Sequence, residues 1–443
     1  MRSISLILVC CLLAVFDCNR EPNGDTLEVE KIDPLPTSPR PVLAVDEPVA
    51  EKPSLIPLED DEPVGAFSIP KGERKLEAKP IGAFASRIGP EKSRLLREFG
   101  GIEPSELAVA RGLAWLAKQQ KADGRWVFDG TSKTDSIAAT GMCLLPFLAA
   151  NQTHLGGKYQ QTVDRGLKYL VSRLTKSGKF RNDSDKVLAT TMYSQALATM
   201  ALCEAYGLTR DREFLQKPAQ AAVYFIVYKQ GSDGSWGYSP GTCGDTSIVG
   251  WQLQALKTAM RCREILVPDK TIDRANKFLD KVASGRNHAV YGYVFPNGAP
   301  ATPLTAVGLL CRYYFSKWAP GHAGLAEGVE GLMKRAPTVS TKRPEMYFHY
   351  YATQVQYFAD SPEWKDWNEG PLKDGKRQGG MRDWLIELQN KKDVAGQVGI
   401  VGSWDADGGT IGTHCGRIGT TALSILTLEV YYRFPQLYKR PMR

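Results

Sequence analysis

No apolar run in these 443 residues is long enough to cross a bilayer, where a spanning helix needs about 20 such residues. Nor do the basic residues gather densely anywhere before the tail Lys439-Arg440-Pro-Met-Arg443. The first absence excludes a transmembrane helix in the mature chain, and the second leaves nucleic-acid binding without a motif. Cysteine is sparse and badly placed for a disulfide framework. Of nine, Cys10, Cys11 and Cys18 crowd the first residues, while Cys143, Cys203, Cys262 and Cys311 stand in helical stretches and read as small buried hydrophobes. What remains is ordinary globular composition, 43% hydrophobic and 23% charged.

The chain divides unevenly. Arg2 precedes the apolar run Ile4–Phe16, the length of a signal-peptide core, so residues 1–19 are expected to direct export to the periplasm or cell envelope. Phe16-Asp17 ahead of Cys18 is the wrong context for lipid anchoring, which wants small residues there. Residues 20–100 carry 12 of the 27 prolines, and residues 21–70 hold 12 acidic against 3 basic groups. Such a segment buries too little apolar surface to offset its chain entropy and is expected to be a disordered linker. Within it Pro63-Val-Gly-Ala-Phe67 recurs as Pro80-Ile-Gly-Ala-Phe84, either a docking peptide, a strap laid on the folded domain, or chance. The basic excess, +12, falls on residues 101–443, as lysines dispersed over solvated helices or a face for anionic lipid or polysaccharide.

Residues 101–443 repeat. A small residue with an aromatic three later, or its equivalent, anchors six units, at Gly112/Trp115, Gly166/Tyr169, Ala222/Phe225, Ala275/Phe278, Gly328/Gly331 and Met381/Trp384, the second, fourth and fifth being degenerate copies that lack the glutamine of the turn. The spacings are 54, 56, 53, 53 and 53 residues, so one supersecondary unit is used six times. Each unit reads as two helices. Amphipathic Glu106–Gln120, with Ser105 as its expected N-cap, precedes apolar Ile137–Ala150; Ala219–Lys229 precedes Ser247–Met260, and Met381–Asn390 precedes Gly419–Tyr432. Six polar-faced helices alternating with six all-apolar ones satisfy both by forming two concentric layers. The expected fold is all-α, an (α/α)6 toroid.

Arg111-Gly112-Leu-Ala-Trp115 continuing to Gln120 and Gly124-Arg-Trp126 resembles the QW motif of squalene and terpenoid cyclases, and Ala222, Phe225, Gln230 and Gly234-Ser-Trp236 form a second copy. The sixth unit keeps Gln389 and Trp404, while the fifth lacks both glutamine and turn aromatic. The resemblance, to the prenyltransferase/squalene oxidase repeat family, implies the toroid shared by terpenoid cyclases and protein prenyltransferase β subunits. It also implies that the glutamine ties to the next inner helix while the turn aromatic stacks on that helix's N-terminus. Both are structural roles, and a scaffold does not fix an activity.

The family's catalytic sets are incomplete. In the cyclases an Asp-x-Asp-Asp-Thr motif supplies the acid; here Thr242-Cys243-Gly244-Asp245-Thr246 retains only Asp245 and Thr246. Asp245 reads as an N-cap, which would hold its pKa low, or as a catalytic acid. The prenyltransferases' zinc needs an Asp-x-Cys, and none exists. His414 and Cys415 would start a zinc site only with two more ligands, His349 or Asp245 being the nearest candidates. Arg417 either holds an anion at the mouth of the cavity or pairs with Asp405 or Asp407. Trp251, Tyr347, His349, Tyr350 and Tyr351 either line a cavity for an isoprenoid or simply fill the middle, as do Tyr193 and Tyr313-Tyr314-Phe315. A glycosidase would need two paired carboxylates, which no spacing among Asp245, Glu345, Asp405 and Asp407 supplies. The expected function is an exported binding module for an apolar isoprenoid or lipid, or for an envelope protein partner. The alternative is a cyclase- or prenyltransferase-like enzyme with a divergent active site.

Overall fold

A computed structural model describes residues 64–70, 80, 82–182, 191–342 and 345–435. The chain divides into two units, Met1–Leu58 and Glu59–Arg443. The first, with the expected signal peptide, lies outside the described residues, and all that follows concerns the second.

A 3-10 turn, Gly82–Arg87, and α1 (Gly89–Phe99) come first. Helix pairs then follow: α2 (Glu103–Gln119) with α3 (Ser136–Ala149), α4 (Gln160–Ser172) with α5 (Met192–Thr209), and α6 (Lys217–Tyr228) with α7 (Thr246–Arg261). Next come α8 (Asp269–Val282) with α9 (Pro303–Phe315) and α10 (Ala323–Met333) with α11 (Met346–Ala359). After the short α12 (Glu363–Glu369), α13 (Met381–Leu388) pairs with α14 (Thr410–Leu428), and α15 (Val430–Arg433) ends the described chain. The second helices close a ring in which α3, α5, α7, α9, α11 and α14 each pack on the next and α14 returns to α3. Every residue of α3 and α11 is buried, whereas α8 buries only one stripe, including Ile272, Ala275, Phe278 and Leu279. Apolarity all round puts a helix in the inner layer, and a single apolar face puts it in the outer.

The repeated turn has one geometry in its three full copies. Gln120 Nε2 donates to Gly124 O at 2.8 Å and to Thr162 O at 2.9 Å. Gln230 does the same to Gly234 O and Thr271 O, and Gln389 to Gly402 O and Ala108 O. Thr162, Thr271 and Ala108 belong to α4, α8 and α2, so the glutamine ties its turn to the next outer helix, not to the inner one expected. The inner helix is reached through the aromatic instead: the Trp126 and Trp404 amides donate to Thr140 and Thr421 Oγ1, while their indole Nε1 atoms donate to Leu116 and Leu385 O. A Cβ on Gly166 would lie 3.0 Å from the Trp126 ring, and one on Gly112 3.1 Å from Trp404. Gly166 is therefore the seat for the first unit's turn indole, and the last unit's indole seats on Gly112 of the first.

Three expectations are corrected. Ser105 is not the cap of α2: the helix begins at Glu103, and Ser105 Oγ accepts from the Ile102 amide at 3.0 Å from inside the first turn. The helix expected from Gly419 begins at Thr410 and breaks at Gly416 (φ 63°), where a Cβ would come within 2.2 Å of Asp129. The expected linker 20–100 is folded in its last part. Gly65 and Ala66 amides donate to Leu174 O, and Phe84 is buried against α5, where a Gly207 Cβ would meet its ring at 2.3 Å. Both Gly-Ala-Phe copies are straps on the toroid.

Candidate functional site

Six inner helices point their N-termini to one end of the ring, where each begins after a polar turn. There the ring encloses a cavity of about 550 Å³. Trp251, Tyr347, Met142, Leu197 and Ile411 give it apolar walls, and Asp135, Tyr193, Tyr238, Ser247, Tyr293 and His414 give it a polar mouth.

Asp245 caps α7 from behind this wall. Its Oδ1 accepts from the Ser247 amide at 2.8 Å, the Ile248 amide at 3.2 Å and the Ser247 hydroxyl. Burial nevertheless pushes its pKa above the usual carboxylate value, against the hydrogen bonds from Ser247 and Tyr293. The cap is as expected; the low pKa is not, because desolvation outweighs the amides. From Asp245 a chain of hydroxyls leads into the cavity, since Ser247 Oγ lies 2.6 Å from Tyr193 OH. Tyr238 OH stands 3.1 Å from Tyr293 OH at the mouth. The Tyr347 hydroxyl, on a residue only 8% exposed, interacts with Ser247 but makes no well-formed hydrogen bond among the described residues.

The other expected site residues separate. Trp251 and Tyr347 stack at 6.4 Å and line the cavity. Tyr350, expected in the cavity, does not line it: it is buried behind Trp251, stacked at 5.7 Å, its hydroxyl donating to Gln254 Oε1 and accepting from Arg433 Nη1, both at 3.0 Å. Tyr351 packs edge-on to Trp251, fully buried behind the wall. His349 is not in the cavity: it faces the outer layer, 4.6 Å from the Trp384 ring, and burial lowers its pKa to about 3. Arg417 is not free for an anion. It pairs with Asp405 and donates to Ser403 Oγ at 3.1 Å and Gln397 Oε1 at 2.7 Å, the pairing alternative of the sequence reading. Asp407 accepts from the Met346, Gly409 and Gly412 amides and so pins α11 to α14. Tyr313 stacks on Phe358 at 4.9 Å, away from the cavity.

His414 and Cys415 do line the cavity, but the pair does not fit zinc. Among the described residues no three His, Cys, Asp or Glu side chains converge as a metal site. His414 Nδ1 is 2.9 Å from Thr131 Oγ1, and burial pushes the Cys415 thiol well up, away from the thiolate a metal requires.

Tyr238 and Tyr293 were missed because they stand in turns. The only signal was position: Gly237-Tyr238 follows Trp236 directly, and Gly292-Tyr293 follows the corresponding Tyr291 of the next unit.

The ring of six helix pairs and its axial cavity define an α/α toroid. No family model and no curated protein matches the sequence. Solved structures do match. A family 76 glycoside hydrolase from a bovine Bacteroides thetaiotaomicron strain aligns over 75% of this chain and 78% of its own, at 10% identity and TM-score 0.51. The type II terpene cyclase MstE from Scytonema, in complex with merosterolic acid A, aligns over 75% and 98% at 13% identity and TM-score 0.48. An α-1,6-mannanase of Salegentibacter sp. aligns over 74% and 99% at 10% identity and TM-score 0.47. At such identities the likeness shows the toroid fold alone.

Proposed function

We propose that this chain is a binding toroid of the squalene-cyclase repeat type, exported to the cell envelope, whose axial cavity takes one small apolar molecule such as an isoprenoid or other lipid. The observation that carries the reading is the cavity itself: about 550 Å³, walled by Trp251, Tyr347, Met142, Leu197 and Ile411, with the Tyr193, Tyr238, Ser247 and Tyr293 hydroxyls at its mouth. Apolar walls with a few convergent polar groups are the usual makeup of a small-molecule site. A diphosphate head group is disfavoured, because no lysine or arginine lines the cavity among the described residues.

A second reading has its own support. Asp245 is buried, holds its proton more tightly than a free carboxyl, and reaches the cavity through Ser247 and Tyr193. Those are features of a general acid, so the alternative is a cyclase-like enzyme of divergent motif.

The test is extraction of the full chain purified from its native host, with mass analysis of the organic phase. A discrete apolar species near one equivalent, lost in Trp251→Ala, is the expected result. An empty extract, together with unchanged binding of added isoprenoid alcohols in Trp251→Ala, would overturn it. Asp245→Asn separates the two readings: retained ligand with lost turnover marks an acid, and retained ligand with no turnover in either protein marks a binding module.

A further inference from the structure

We propose that the cavity selects an organic cation, an apolar body carrying an amine or quaternary ammonium. This rests on the cavity being a binding site, and it adds the ligand's charge.

The electrostatics of the wall carry the inference. Asp135, the N-cap of α3, lines the mouth. Its Oδ1 accepts from the Ala138 amide at 3.0 Å and Asn182 Nδ2 at 3.4 Å, and its Oδ2 from Ser194 Oγ at 2.6 Å. An ionised carboxylate offers about four acceptor positions, so among the described residues one remains for a ligand. Opposing cations are spent elsewhere. Arg417 is held by Asp405, and Arg433, which does not line the cavity, is held by Glu204 at 2.6 Å and by Tyr350. His414 is the one basic side chain of the wall among the described residues. The aromatic faces point the same way: Tyr193 and Tyr238 meet edge to face at 5.7 Å, and Trp251 stacks on Tyr347. These rings line the same cavity as Asp135, and aromatic rings beside a carboxylate favour a cation over an anion. A further mark is the Tyr347 hydroxyl, more than nine-tenths buried on the cavity wall, which among the described residues interacts with Ser247 but makes no well-formed hydrogen bond. A buried hydroxyl without a well-formed hydrogen bond costs free energy that a bound polar head recovers.

The experiment compares three probes of one tail, decyltrimethylammonium, decanol and decyl phosphate, by calorimetry on the full chain far below micelle-forming concentrations. The ammonium is expected to bind roughly tenfold tighter than the alcohol, about 1.4 kcal/mol, with the phosphate weakest. In Asp135→Asn the ammonium should fall to the alcohol's affinity while the alcohol is unchanged. Asparagine caps a helix about as well as aspartate, and an unchanged melting curve would verify folding. Alcohol or phosphate binding as tightly as the ammonium, or an order unaffected by Asp135→Asn, overturns the cation preference and leaves the apolar cavity standing. If no probe distinguishes the chain from Trp251→Ala, the cavity reading falls and this proposal with it.

Discussion

At the N-terminal ends of the inner helices the ring opens on hydroxyls, with Tyr193, Ser247, Tyr238 and Tyr293 around a cavity. Toward the other end it is sealed by charge. Arg87 Nη1 and Arg433 Nη2 grip the two oxygens of Glu204 at 2.7 and 2.6 Å, all three side chains almost wholly buried. Arg87 comes from the strap, Glu204 from α5 and Arg433 from α15, so the seal joins three distant segments. Phe84 and Phe434 pack edge to face beside it, and the Arg87 guanidinium stands 4.8 Å from the Phe434 ring. The difference teaches how one ring handles polar groups in two ways. Neutral hydroxyls at an open end cost little and stay available, whereas at the closed end the buried carboxylate of Glu204 is held between two arginines.

The largest effect should come from breaking the seal. Glu204→Gln leaves two buried guanidinium groups uncompensated and should lower unfolding free energy by about 3–5 kcal/mol in urea titration. A loss under 1 kcal/mol would show the closed end to be less dependent on pairing than argued. The pH profile gives the sign. Burial pushes the Glu204 pKa up, but Arg433 and Arg87 together hold it below the usual 4.5. Its contribution is therefore complete above 4.5 and fades as pH falls through the lowered value, so the Gln variant should show a flatter acid limb.

Gly207→Ala tests whether the strap is part of the closed end. The new Cβ would meet the Phe84 ring at 2.3 Å, an overpacking that should cost about 1–3 kcal/mol, although alanine is the better helix former. Thermal melting reads it, and a stabilised variant would mean that the strap is not docked on α5.

The smallest effect belongs to the open end. Asp245→Asn keeps an N-cap acceptor and should change stability at neutral pH by less than about 1 kcal/mol. Because burial raises the folded pKa of Asp245 above 3.8, the wild-type chain is helped most below that pH and loses the help as pH rises through the raised value. Asparagine should remove that slope. A cost rivalling that of Glu204→Gln would erase the contrast between the two ends.

Much of the ring was legible because the signal was periodic. Gly112 and Gly166 mark where a turn indole seats, and Asp135 and Asp245 stand at the helix starts they cap. The site was less legible. Helix α11 is buried on every side, so its sequence has no polar face to set its rotation, and His349 looked as central as Tyr347 although it faces Trp384. Arg417 offered two roles that spacing alone did not separate, and the Asp405 contact decided between them. The linker boundary misled for another reason. Composition measures what a segment buries by itself, and Phe84 and Arg87 bury themselves in a surface made by distant residues, among them Leu148, Glu204, Gly207 and Arg433.

By itself, then, the sequence determined a six-fold alternation of amphipathic and apolar helices, which only a closed double layer satisfies, since each apolar helix must be covered on all sides. Only the tertiary structure decided which aromatics face the axis, that Asp245 is desolvated, and that Glu204 meets Arg433 across 229 residues. Periodicity records the burial each residue needs. Contacts and desolvation depend on what the ring brings to it from elsewhere in the chain.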